Sequence, residues 1–146
     1  MNPIDTILNQ ELRRDEGVRY SPYTDTVGVL TVGVGHNLKA KPIPPDWQYP
    51  LSDWQVDKLL SDDLESVFKS LDSRLSWWRE LSYVRQRVLA NMAFQLGIDG
   101  LLGFKNTLQA IKEGRFDDAA DGMRKSKWYS QTPSRTERLA KMMTTG

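Results

Sequence analysis

The sequence predicts an α+β protein, mostly helical, in which a small β-ribbon lobe is joined by a long helix to a helical lobe. Three observations carry this. Residues 18–35 are rich in Tyr, Thr and Val and are punctuated by Gly28, Gly33 and Gly35, the composition of a short ribbon with turns. Residues before and after that stretch place their apolar side chains at helical spacing. From Ser52 onward, Leu60, Leu64, Val67, Phe68, Leu71 and Leu75 form one unbroken apolar stripe, enough for a long connecting helix.

Each element has its own signals. Asn2 can cap a first helix and Pro3 suits its first position. Ile4, Ile7, Leu8 and Leu12 extend it over 3–15, and Gly17 stops it. Glu16 therefore falls at a helix C-terminus, where the negative end of the helix dipole disfavours an ionised carboxylate. The ribbon follows. Pro42, Pro44, Pro45 and Pro50 among polar residues make 39–50 a loop. Ser52 with Gln55 forms a capping box. A helix starts at Ser82, carries Val84, Val88, Leu89, Met92 and Leu96, and stops at Gly97. Shorter helices are expected over 106–113 and 117–126. Thr132 and Pro133 open the last, which runs to about Met143.

The 146 residues suffice for one domain with a core and are too few for two ordinary ones. The expectation is a single domain over 1–146. Its small lobe spans about 14–60, and its helical lobe, about 61–146, packs with helix 3–15. A ribbon beside a bundle leaves a cleft between the lobes, and clefts bind ligands.

Composition narrows the chemistry. With no Cys, there is no thiol nucleophile, no thiolate metal site and no need for an oxidising compartment. A single histidine, His36, excludes a multi-His metal site, and without Cys the usual zinc sets are unavailable, so no metal is expected. No stretch approaches the roughly 20 apolar residues of a membrane span. The N-terminus, with its acidic residues, is not expected to act as a signal peptide. The chain is expected to be made in a cytoplasm, as a monomer without membrane insertion. The net charge of +1 divides into −4 over residues 1–80 and +5 over 81–146. The basic half fits an anionic partner such as cell wall, or serves solubility alone. Its Lys and Arg are scattered with no recognisable motif, so nucleic acid is not expected as a partner.

Glu16, Asp25 and Thr31 are the candidates for chemistry. Glycoside hydrolysis needs one carboxyl that stays protonated to serve the leaving oxygen and another that stays ionised to handle water. Glu16 at a helix end and Asp25 in a polar turn between Thr24 and Thr26 fit those two environments. Thr31 offers a hydroxyl that can donate to and accept from a water. Spacing alone is a weak warrant and fits two solvated surface groups as well. His36 reads as a structural hydrogen-bonder, with Asp63 as a candidate partner, or as a catalyst.

Wider motifs extend the reading. Arg14-Asp15-Glu16-Gly17, Tyr23-Thr24-Asp25-Thr26 and the run Leu30 to His36 closely resemble the active-site region of phage-type lysozymes of the T-even kind, the endolysins of glycoside hydrolase family 24. Glu, eight residues, Asp, five residues and Thr match without a gap. The likeness continues in NMAFQLG at 91–97, GFKNTL at 103–108 and KSKWYSQTPSRTERL at 125–139. The resemblance implies a lysozyme-like fold with an inter-lobe cleft. It implies cleavage of the β-1,4 bond between N-acetylmuramic acid and N-acetylglucosamine in bacterial peptidoglycan, for host cell lysis, without cofactor. The implied course is inverting, with Glu16 as acid and with Asp25 and Thr31 holding the water. It implies that Asn37, Phe94 and Thr107 line the sugar cleft and that Gln95 hydrogen-bonds near it. Arg135 faces the catalytic Glu, and His36 supports the site. Phe94 stacks a sugar or packs in the core; Arg135 is that partner or a rim charge. Reaching the wall implies dependence on a holin. Gly122 stands where the family carries a cleft Asn, the loop 37–51 is shorter and proline-rich, and Asn37 replaces an apolar residue.

Overall fold

The structure is a computed structural model and describes residues 4–146, so the expected roles of Asn2 and Pro3 lie outside the described residues. It bears out the α+β, mostly helical expectation. Helix α1 (Asp5–Glu16) leads into strands β1 (Arg19–Thr24), β2 (Leu30–Gly33) and β3 (His36–Asn37), then α2 (Asp53–Arg74). Next come α3 (Tyr83–Leu102), α4 (Lys105–Lys112), α5 (Phe116–Arg124), α6 (Lys127–Gln131) and α7 (Pro133–Thr145). The strands form one antiparallel sheet in the order β1-β2-β3.

The chain divides into two compact units. One holds Asp5–Ser66, with α1, the sheet and the first part of α2. The other holds Val67–Gly146 together with Ile4.

In the sheet-bearing unit, Leu8 and Leu12 of α1, Val32 and Val34 of the ribbon, and Val56 and Leu60 of α2 are buried. The start of α2 is fixed by its capping box. The Ser52 hydroxyl accepts from the Gln55 amide at 3.1 Å, and the Gln55 side-chain carbonyl accepts from the Ser52 amide at 2.9 Å.

In the helical unit, α5 packs against both α4 and α7, and α3 against α7. Leu89, Met92, Leu101, Ile111, Met123, Leu139 and Met143 fill its interior. Phe68 and Trp78 stack with ring centroids 5.9 Å apart. Ser82 caps α3 as expected, accepting from the Arg85 amide at 3.2 Å. Gly97 does not end that helix. It adopts φ +75° and ψ 161°, and the chain resumes helical geometry to Leu102, so the expected stop is a kink. The expected helix 117–126 is α5, which ends at Arg124; α6 beyond it was not foreseen, and Ser126 caps it by accepting from the Tyr129 amide. A short 3-10 turn at Trp78–Glu80 was not foreseen.

Candidate active site

The catalytic candidates assemble within the sheet-bearing unit. Glu16 is the last residue of α1. Gly17 follows at φ +75°, and its amide donates to the Arg13 carbonyl at 3.0 Å, closing the helix end. The Glu16 carboxyl rests against the backbone of Gly35. A Cβ built on Gly35 would stand 2.9 Å from Glu16 Cδ and 3.0 Å from its Oε1, and Gly35 has φ +62°. Both the space and the backbone angle demand glycine there.

Asp25 occupies the β1–β2 turn. Its Oδ1 accepts from the amides of Val27 at 3.0 Å and Val29 at 2.8 Å. Its own amide donates to the Val29 carbonyl at 2.9 Å. The second oxygen, Oδ2, takes no hydrogen bond from the described residues. Thr31 is buried on β2, and its hydroxyl donates to that same Val29 carbonyl at 2.8 Å. The backbone of Val29 thus ties Asp25 and Thr31 together. With its proton committed to that bond, Thr31 Oγ1 retains only acceptor capacity.

Tyr23 was not singled out from the sequence. It pairs with Thr31 across the β1–β2 ladder, and the Arg19 guanidinium lies 4.7 Å from its ring centroid. Burial, then the negative charge of Glu16, raises its phenol above the ordinary value; Asp25 adds to this and Arg19 opposes it. Tyr23 is thus half-buried on the strand beside Thr31, within the field of both candidate carboxylates. The only sequence signal was its place two residues before Asp25.

His36 is buried on β3 next to Gly35. Its Nδ1 lies 2.7 Å from Asp63 Oδ2, the expected partner, and its Nε2 lies 2.7 Å from the Lys41 carbonyl. Both ring nitrogens therefore face acceptors, the arrangement of a protonated imidazole. Burial pulls its pKa down. The Asp63 hydrogen bond and charge, with the Lys41 carbonyl, more than offset that, and the net shift is upward. Asn37 is exposed, and its side-chain carbonyl accepts from the amides of Lys39 and Ala40, each at 3.0 Å, opening the loop.

The remaining candidates lie in the helical unit. Phe94 is half-buried on α3. Gln95 accepts from Trp128 Nε1 at 2.9 Å and donates to the Thr132 hydroxyl at 3.3 Å, tying α3 to α6 and the start of α7. Thr107 is buried on α4, and a Cβ on Gly122 would overlap its hydroxyl, so the glycine accommodates the threonine. Arg135 is buried and donates from Nε at 3.0 Å and from an Nη at 2.8 Å to Asn91 Oδ1. A groove of about 420 Å³ opens nearby, lined by Leu96, Gly100, Gly103, Phe104, Gly122 and Trp128 among others.

A profile of the phage lysozyme family matches residues 13–141. The chain belongs to the phage lysozyme family. It is thereby an enzyme, a glycoside hydrolase of the lysozyme type that acts on cell wall. This family member is 28% identical to the probable T4-type lysozyme 1 of Dictyostelium discoideum, over 95% of its own length and 94% of the relative. It is 30% identical to the pre-baseplate central spike protein Gp5 of Enterobacteria phage T4, over 95% of the chain but 28% of that protein. It is 32% identical to the peptidoglycan hydrolase gp36 of Pseudomonas phage phiKMV, over 92% of the chain and 15% of gp36. The match thus spans nearly all of one relative and a minor part of the two larger ones.

Proposed function

We propose that the chain hydrolyses the β-1,4 bond between N-acetylmuramic acid and N-acetylglucosamine in peptidoglycan, with inversion at the reacting carbon. The supporting observation is the Val29 tether. It fixes Asp25 Oδ1 and spends the Thr31 proton, so that Asp25 Oδ2 and Thr31 Oγ1 remain as acceptors for one water. Glu16, pressed against Gly35, gives its proton to the glycosidic oxygen as the C1–O bond breaks. The water oxygen bonds to C1 from the opposite face and passes its proton to Asp25. Exchange with solvent then reprotonates Glu16 and frees Asp25. Asn37, Phe94, Gln95 and Thr107 are proposed to contact the sugars, and Arg135 and His36 to support the site.

Purified peptidoglycan treated with wild type should yield new reducing muramic acid ends. Glu16→Gln and Asp25→Asn, each folded, should lower that rate by at least about 10²-fold. Wild type that binds the wall without producing reducing ends would make the chain a recognition module.

The +5 excess over residues 81–146 suits attraction to an anionic wall. Among the described residues no helix is long and apolar enough to cross a membrane. Host lysis with a holin opening the membrane is the biological setting proposed. The match to part of a phage spike protein favours a second setting, the same hydrolysis performed by a virion component during entry.

A further inference from the structure

The proline-rich loop and the first turn of α2 carry an aromatic pair that the chemistry above does not use. Trp54 is 66% exposed, far more than an indole usually tolerates. Trp47 meets it edge-on, with ring centroids 6.1 Å apart and planes at 61°. Tyr20 and Tyr49 are exposed as well.

The backbone that bears the pair is tied down by hydrogen bonds. The reciprocal Ser52–Gln55 cap fixes the turn that bears Trp54. The Leu51 amide donates to the Tyr20 carbonyl at 2.7 Å, and the Tyr20 hydroxyl donates to Asp53 Oδ1 at 2.7 Å, tying that turn to β1. The Trp47 amide donates to the Pro44 carbonyl at 3.1 Å, closing a turn in the loop. A backbone already held in place loses little freedom when a ligand covers the rings it bears.

Charge selects the occupant. Asp46 and Asp53 adjoin the two tryptophans in sequence, and Arg13, the cation in the Tyr20 environment, is paired with Asp57. Such a surface repels a phosphate backbone or an anionic bilayer. Its carboxylates accept hydrogen bonds from hydroxyls. A pyranose offers the complement, an apolar C–H face for the indole and a rim of hydroxyls for Asp53.

We propose that Trp47 and Trp54, with Tyr20 and Asp53, form an accessory saccharide site that grips N-acetylhexosamine rings of the glycan strand. It shares no residue with the Glu16–Asp25–Thr31 set. The identity of its ligand rests on the peptidoglycan reading above. By holding the polymer, the site raises the local concentration of scissile bonds.

The full chain carrying Glu16→Gln, with its indoles labelled, is titrated with N-acetylglucosamine hexamer and followed by NMR. Trp47→Phe and Trp54→Phe assign two of the five indole signals. The signals of Trp47 and Trp54 should move saturably. In the otherwise wild-type chain, Trp54→Ala should slow cleavage of limiting sacculi about three- to tenfold, and Trp54→Tyr should restore most of the loss. Trp54 is exposed, so truncation leaves the buried core untouched. Unmoved signals together with a wild-type rate for Trp54→Ala would overturn the site. So would concentration-dependent dimerisation abolished by Trp54→Ala, which would assign the pair to a contact between copies. Indole shifts without any reducing ends from wild type would support the site while striking the hydrolase reading.

Discussion

At Gly35 the backbone passes so close to the Glu16 carboxyl that a methyl group has no room. Gly35→Ala must push the acid aside and also hold alanine at φ +62°, a strain of about 1–2 kcal/mol. Activity should fall at least about tenfold. Gly114→Ala, at φ +77° with nothing within 4 Å, carries similar strain without the contact and should lose stability but keep activity. Equal activity in the two variants would mean that Gly35 serves the backbone alone. His36 gives a second test. Its pKa is raised in the folded state, so its stabilisation is complete below the unfolded value of about 6.5 and is lost as pH rises through the folded value. Asp63→Asn should therefore cost about 2–3 kcal/mol near pH 5–6 and progressively less above the folded pKa. Urea denaturation across pH checks this, and a pH-independent difference would contradict the charged pair. The His36–Asp63 pairing was legible in the sequence from side-chain identity, whereas Glu16, Asp25 and Thr31 stood out as candidates through the family motif. The role of Val29 was not legible, because its tether is made by backbone atoms that any residue supplies.

The last helix shows what an element needs beyond its own sequence. Pro133 marks the start of α7, but its end is held from another helix. Arg85 of α3 donates from Nε to the Met143 carbonyl at 2.8 Å and from an Nη to the Thr144 carbonyl at 3.2 Å. Its guanidinium also lies 3.4 Å from the Phe116 ring centroid on α5. These contacts satisfy carbonyls that a helix end leaves open. Arg85→Met should cost about 1–3 kcal/mol and speed amide exchange in the final turn of α7. Exchange unchanged there would show the clasp to be idle. Helix starts at Ser52, Ser82 and Pro133 were legible because capping is local. The kink at Gly97 was read as a stop because a positive-φ glycine serves either purpose, and only packing beyond it decides whether helix resumes. The helix α6 was missed because five residues are too short for a periodic apolar stripe to show.

Over the whole molecule, the chemistry and the sugar-contact candidates are distributed differently. The proposed acid, the proposed water-holding pair, Tyr23 and His36 all fall between residues 16 and 36, in one unit. A local stretch of chain carries them, and within it the spacing of Glu16, Asp25 and Thr31 matches the family pattern. Phe94, Gln95, Thr107 and Arg135 come from three helices of the other unit, where Gln95 and Arg135 are partly engaged with Trp128, Thr132 and Asn91. No spacing rule links such positions, and only the family resemblance pointed to them. The central claim is that Asp25 and Thr31 hold a water for direct attack at C1 instead of Asp25 bonding to the sugar. The most direct measurement is the anomeric configuration of the first product, read by proton NMR within minutes of adding wild type to soluble glycan fragments. The α-anomer of N-acetylmuramic acid is the predicted result. The β-anomer would mean retention through an intermediate, and would contradict the water-holding role assigned to Asp25 and Thr31.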